Sequence, residues 1–381
     1  MKDQYVILTG SKNNAGDYLI KYRAKQLFSE FRSDRKIIDI NGWEDLSNSN
    51  LNIINDSKAL ILMGGPALVK DMVPRVYGLA NVLDKIKVPI IMMGIGWKST
   101  EGNWQNTYHY KLNLNTLNLL KKVKNSGYLS SVRDYHTLSA LRFNGCENIL
   151  MTGCPAYYDK KFINTDIIDK DINKVAFSLG VSFIESPSML NLMKDNIIAC
   201  QKKFLDKDFE VVFHHSLDRA RFLNAYKSAS NHVKMHNEFA NWLESKNIKY
   251  KDISGSAENL MNYYSNIDLH IGYRVHAHIF MNSIAKKSVL ISEDGRAKGV
   301  KGTISGIVLD GYLKFRNNFI SKVLYRLLPS YDKFLANEFL TKELISEIDY
   351  EQIINFSRMK SSRKIIDTNF IIMQQFLKQL P

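Results

Sequence analysis

Arg274, His276 and His278 lie within five residues of one another, directly after the short apolar run Leu269 to Ile271 and Gly272. An arginine offers a planar fork that matches phosphate or carboxylate, and a histidine can exchange a proton near neutral pH. The chemistry these types imply is anion binding with acid–base catalysis. The apolar segment Ile279 to Ala285 follows, so the stretch reads as a buried strand, a tight turn and a helix N-terminus. Backbone N–H groups and the helix dipole favour an anion at such a junction. On an ideal helix His276 and His278 point about 200° apart. At most one ring can therefore face a common site, and we assign His276. Tyr273, between Gly272 and Arg274, is grouped with them as a substrate-binding residue.

A second cation stands in Ser131-Val132-Arg133-Asp134, where Arg133 ends a strand and Asp134 can cap the following helix or line an anion site. The loop Thr9 to Asp17 contains Asn14, Gly16 and Asp17 and opens a helix, so its backbone could approach an anion closely. It is neither a Walker loop nor a spaced GxGxxG fingerprint, and Asp17 is also a plausible helix cap. Gly64-Gly65-Pro66 reads as a strand exit that lets a ligand approach. Lys98, after Gly94-Ile95-Gly96, adds a positive group at the same edge. His214-His215 also follows a strand, but no carboxylate or third histidine stands at ligand spacing, so no metal is expected. Asp169-Lys170-Asp171 and Asp206-Lys207-Asp208 read as solvated turns.

The elements that must position these residues come in two series. Strand-like runs at Tyr5–Leu8, Lys36–Ile40, Ala59–Met63, Val88–Met93, Tyr128–Val132 and Asn148–Met151 alternate with helical stretches, the signature of a parallel sheet. Residues 159 to 173 are polar and lose the pattern, as a linker does. The alternation resumes at Val175–Leu179, Val211–Phe213, Lys249–Ile253, Leu269–Ile271 and Ser288–Ile291. The expectation is an α/β protein with domains at 1–165 and 174–310 and a helical tail, 311–381, packing on them. In that tail Phe315 to Leu328 reads as an amphipathic helix with Lys314, Arg316, Lys322 and Arg326, a form that can also lie on an anionic leaflet.

Composition agrees. Over 381 residues, 45% hydrophobic and 24% charged are values of a folded protein, and the length suits two cores. The net charge of +14 (52 basic minus 38 acidic) suits phosphorylated substrates, an anionic membrane face or nucleic acid. No zinc finger, helix-turn-helix or aromatic RNA-binding signature accompanies it, so nucleic acid is not an expected partner. Three widely spaced cysteines form neither a disulfide framework nor a zinc pattern. No apolar run approaches the ~20 residues needed to span a bilayer. A cytoplasmic protein is expected, with a peripheral place at the inner face of the membrane open to it.

Taken in order, Asn14-Ala15-Gly16-Asp17, Gly64-Gly65, Gly94-Ile95-Gly96, Ser131 to Asp134 and Gly272-Tyr273-Arg274-Val275-His276-Ala277 resemble the ordered motifs of the polysaccharide pyruvyl transferase family. The resemblance covers about residues 5 to 300. It departs at Pro66, where the third glycine of a triplet would stand, and at Cys154-Pro155-Ala156, in place of Asp-Pro-Ala. It implies two Rossmann-like domains facing across a cleft in the GT-B manner. It also implies transfer of the enolpyruvyl unit of phosphoenolpyruvate onto two hydroxyls of a sugar, either in a surface polysaccharide or in its lipid-linked precursor. Arg274, His276 and Arg133 would be the catalytic residues. Asn14, Gly16, Asp17, Gly64, Gly65, Lys98, Asp134 and Tyr273 would bind substrate, with neither metal nor cofactor beyond the donor. The alternative for the same architecture is a GT-B glycosyltransferase using a nucleotide-sugar donor in polysaccharide biosynthesis.

Overall fold

Among the described residues, eleven of the twelve parallel strands coincide with the runs above, and each of the two parallel sheets is six-stranded. The structure, a computed structural model, describes residues 3–10, 15–220, 230–316, 321, 324, 327 and 331–381, apart from the side chain at 230. By its internal contacts the chain divides into two units. One comprises Met1–Asn164, Gly302–Ile304 and Lys364–Pro381; the other comprises Thr165–Lys301 and Ser305–Arg363.

In the first unit the strands are β1 (Gln4–Thr9), β2 (Lys36–Asn41), β3 (Ala59–Leu68), β4 (Ile90–Trp97), β5 (Ser130–Val132) and β6 (Ile149–Met151). Their spatial order is β2-β1-β3-β4-β5-β6. The chain moves outward from β1 to β2 and then returns past β1 to β3, so the strand order reverses there. The central strands are buried on both faces, which is why Val6 to Leu8 and Leu60 to Met63 are unbroken apolar runs. Two strands outlast the glycines expected to stop them. β3 continues past Gly64 and Gly65 with a register irregularity, and β4 continues through Gly94 and Gly96. At the far end Arg32 donates to the carbonyls of Leu380 and Pro381, fastening the last residues to this unit.

The second unit repeats the plan with β7 (Lys174–Ser178), β8 (Asp208–Phe213), β9 (Tyr250–Asp252), β10 (Leu269–Gly272), β11 (Lys287–Ser292) and β12 (Val308–Asp310). The order is β12-β11-β10-β7-β8-β9, with the reversal between β7 and β10. In sheets of this kind ligands bind at the carboxyl ends of the strands, at the reversal point. β12 has no counterpart among the sequence expectations.

The tail is helical at Leu340–Ile353 and Ser357–Lys378. Before these, β13 (Tyr312–Phe315) pairs antiparallel with β14 (Phe334–Ala336). Lys314 therefore stands on a strand and not on the expected amphipathic helix; Lys322 and Arg326 lie outside the described residues. No helix among the described residues is long and apolar enough to cross a membrane.

Candidate active site

Gly272 explains why the strand-turn-helix of the second unit is built as it is. Its φ is +133°, and a Cβ there would fall 2.4 Å from Ser178 O, so only glycine lets β10 lie this close to β7. The chain then turns into the helix Val275–Ser283 with Arg274 at its N-cap position. The Arg274 N–H donates to Ser178 Oγ at 3.0 Å, a bond across the reversal point. One Nη of its guanidinium donates to His215 Nδ1 at 2.7 Å. His215 must therefore present a lone pair at Nδ1 and carry its proton on Nε2.

Beneath Arg274 runs a buried polar chain. His270 lies between two hydroxyls, with Nε2 2.8 Å from Ser178 Oγ and Nδ1 2.8 Å from Ser288 Oγ. Ser288 Oγ also meets His278 Nδ1 at 2.7 Å, and Asn282 closes the chain on the other side of His278. His278 is thus committed to the interior. His276, in the first turn of the same helix and 7% exposed, is on another face. The two rings diverge as the helical pitch requires.

His214, His215, His236, His270 and His278 all favour the neutral form. Burial first, then the Arg274 charge, pushes His214 and His215 well below the usual histidine range, and His276 adds to the effect on His214. Burial lowers His236 to about 4 and His278 to about 3, and it holds His270 well below its ordinary value. His214 Nε2 meets Tyr264 Oη at 2.7 Å, and His236 donates to the His232 carbonyl. Arg274 is consequently a fixed positive charge beside the uncharged rings of His214 and His215. Sequence reasoning weighed His214-His215 only as a metal pair. Its signal was position, since both follow β8 at the sheet edge that carries Arg274. No group of three or more His, Cys, Asp or Glu among the described residues is arranged to hold a metal ion.

Tyr273 does not belong to the site. Side chains alternate at a strand end, and while Arg274 takes the cap position, Tyr273 enters the core, where its hydroxyl accepts from Asn196 at 3.1 Å.

In the first unit Arg133 follows β5, 6% exposed, its N–H bonded to Ile95 O at 3.0 Å. Its guanidinium lies against Gly96, where a Cβ would fall 1.9 Å from Nε. The glycine of Gly94-Ile95-Gly96 thus makes room for the arginine and does not end a strand. Among the described residues neither Nη has a hydrogen-bond partner. The nearest carboxylate oxygen, Asp134 Oδ2, is 3.6 Å from Nε. Asp134 is itself the N-cap of the helix Tyr135–Phe143, its Oδ1 accepting from the Thr137 N–H and hydroxyl at 2.7 and 2.8 Å. That commits Asp134 to capping and to Arg133, and removes it from the substrate-binding set. Close by, Cys154 is pushed up to about 11 by burial, against the lowering effect of Arg133.

The remaining expected residues divide. Gly16 and Asp17 are buried in the first turn of the helix Ala15–Phe31; Asp17 is its third residue and not its cap. A Cβ on Gly65, whose φ is +85°, would fall 2.8 Å from Asp17 Oδ1, and one on Gly64 would meet Ile20. These glycines give space to the protein's own side chains. Lys98 is exposed just beyond β4, and Asn14 lies outside the described residues.

A sequence model of the polysaccharide pyruvyl transferase family matches residues 14–280. Among curated proteins none matches the chain. Among solved structures it is similar to the UDP-GlcNAc 2-epimerase of Neisseria meningitidis bound to UDP-GlcNAc. The TM-score is 0.48 and the identity 11%, over 99% of this chain and 100% of that one. It is also similar to a putative UDP-N-acetylglucosamine 2-epimerase of Listeria monocytogenes, with TM-score 0.49 and 10% identity over 96% and 91% of the two chains. For the UDP-GlcNAc 2-epimerase of Methanocaldococcus jannaschii the values are 0.45, 13%, 92% and 100%.

Proposed function

Because this chain belongs to the polysaccharide pyruvyl transferase family, we propose that it moves the enolpyruvyl group of phosphoenolpyruvate onto two hydroxyls of a sugar, in a surface polysaccharide or its lipid-linked precursor. The observation that carries the reading is Arg274, held by Ser178 and His215 at the reversal point of its sheet with His276 two residues beyond. Phosphoenolpyruvate bears a phosphate and a carboxylate, so it calls for more than one cation. Arg274 supplies one of them.

In the reaction His276 gives a proton to the vinyl carbon, which becomes the ketal methyl while the adjacent carbon gains oxocarbenium character. One sugar hydroxyl adds, the phosphate leaves, and the second hydroxyl adds in its place. Of the two hydroxyl hydrogens lost, one balances the new C–H bond and the other leaves with phosphate. A positioned general acid of this kind contributes about 10²–10⁴ in rate. An acceptor on a lipid pyrophosphate would be met at an anionic leaflet, for which a net charge of +14 is suited.

Incubation of the full chain with phosphoenolpyruvate and a panel of acceptor glycans should release phosphate only when an acceptor is present. Stabilisation by nucleotide sugars, with none by phosphoenolpyruvate and no phosphate release, would replace this reading with nucleotide-sugar glycosyl transfer.

A further inference from the structure

Glu293 follows β11 and is used by none of the chemistry above. It is 6% exposed, and its Oε2 accepts from the Val181 and Ser182 N–H groups at 2.7 and 2.9 Å. Those two residues lie in the loop after β7. Since β10 stands between β11 and β7, the side chain reaches across the end of β10, over the reversal point of the sheet. The fit is close, because a Cβ on Gly180 would fall 2.4 Å from Oε2. Among the described residues the other carboxylate oxygen, Oε1, has no hydrogen-bond partner, and neither has the hydroxyl of Ser182, itself 7% exposed. Because the Ser182 N–H bonds Oε2, its hydroxyl and Oε1 belong to directly neighbouring groups.

Leaving a buried carboxylate oxygen unpaired costs about 1–3 kcal/mol, so this pair is shaped for a ligand. A carboxylate repels phosphate and carboxylate, which makes this a site for a neutral O–H donor. Glu293 Oε1 can only accept, while Ser182 Oγ can donate and accept. Two adjacent hydroxyls on a ring satisfy both at once.

We propose that Glu293 and Ser182 form a subsite for the vicinal diol of a sugar ring at the carboxyl edge of the second sheet. Under the function proposed above, on which this assignment of the sugar rests, the ring belongs to the acceptor; a nucleotide ribose carries the same diol.

The test is direct binding to the full chain, measured by saturation-transfer NMR titration without any donor. One series uses methyl glucoside, galactoside and mannoside, and the other uses uridine and its 2′-deoxy form. Glu293→Gln keeps an oxygen for the two N–H groups and turns the open position into a donor. It should weaken binding of the preferred diol by about tenfold or more, and Ser182→Ala by about threefold. Removing a hydroxyl from the ligand should cost the wild type as much and Glu293→Gln nothing further. Should Glu293→Gln fail to fold, judged by its thermal transition, Ser182→Ala carries the test alone.

Binding equal to wild type in the folded variants overturns the proposal, as does a wild type that binds neither series. Preference for uridine through the same two residues supports the subsite with ribose as its source. Phosphate release from phosphoenolpyruvate is scored separately, so the reaction can fail while the subsite stands.

Discussion

Arg133 and Arg274 each stand just beyond the carboxyl end of a parallel strand, and their surroundings are opposite in kind. Arg274 is held by directed hydrogen bonds, through its backbone to Ser178 and through its guanidinium to a neutral imidazole. Arg133 is held by shape. Its guanidinium lies against Gly96, and among the described residues both Nη atoms are left without hydrogen bonds. A hydrogen-bonded cation is aimed in advance, whereas one confined by packing keeps its donors available for whatever anion enters. The contrast predicts that the two sites fail differently when altered.

The largest effect is expected at His276, which no other group replaces. His276→Ala should lower kcat by about 10²–10⁴ and leave donor binding nearly unchanged, as befits a proton donor. A comparable loss carried entirely by KM would make His276 a binding residue instead. Arg133→Ala and Arg274→Ala should each cost about 10²–10³ in kcat/KM. The comparison is sharpened at Gly96. Gly96→Ala would place a methyl where the Arg133 guanidinium lies, so it should reproduce most of the Arg133→Ala defect with Arg133 still present. Full activity in Gly96→Ala would show that the packing does not fix this arginine.

Acid separates the units in a second way. Unfolded, a histidine takes its proton near pH 6.5; folded, His236 does so only near pH 4 and His278 near pH 3. Between those values the unfolded chain binds more protons. Stability is therefore complete above pH 6.5 and falls as the pH is lowered, by about 3 kcal/mol from His236 alone by pH 4. His214, His215 and His270 act in the same direction, and all five belong to the second unit. Hydrogen exchange should show β7, β8 and β10 losing protection on acidification before β1, β3 and β4. Simultaneous loss in both sheets would remove histidine burial as the cause.

The sheets were legible because strands buried on both faces must be continuous apolar runs, and Tyr5 to Leu8 or Ala59 to Met63 can be little else. The separation of His276 from His278 was legible from helical pitch alone. What failed was glycine read as punctuation. Gly65 and Gly96 lie in or beside ladders and clear space for Asp17 and Arg133, a purpose visible only once the partner is in place. Asp134 and Tyr273 were misread by proximity in sequence, since a cap and a core-facing ring can each adjoin a site arginine without sharing its site. The position of His215 after β8 was legible but its bond to Arg274, 59 residues on, was not, and neither was that of Glu293 to Ser182, 111 positions away, because both arise through tertiary packing.

His215 gives the smallest and most discriminating expectation. Its Nδ1 can accept from Arg274 only while the ring is neutral, and burial together with Arg274 itself enforces that state. The imidazole therefore orients the guanidinium without diluting its charge. His215→Ala removes one hydrogen bond to a charged group, so KM for the donor should rise about tenfold with kcat little changed. Asn can offer an oxygen acceptor near the Nδ1 position, so His215→Asn should recover part of that loss. His215→Lys, which places a second cation beside Arg274, should be worse than alanine. Equal KM values for the alanine and asparagine variants would mean that His215 only fills space, and Arg274 would then be held by packing much as Arg133 is.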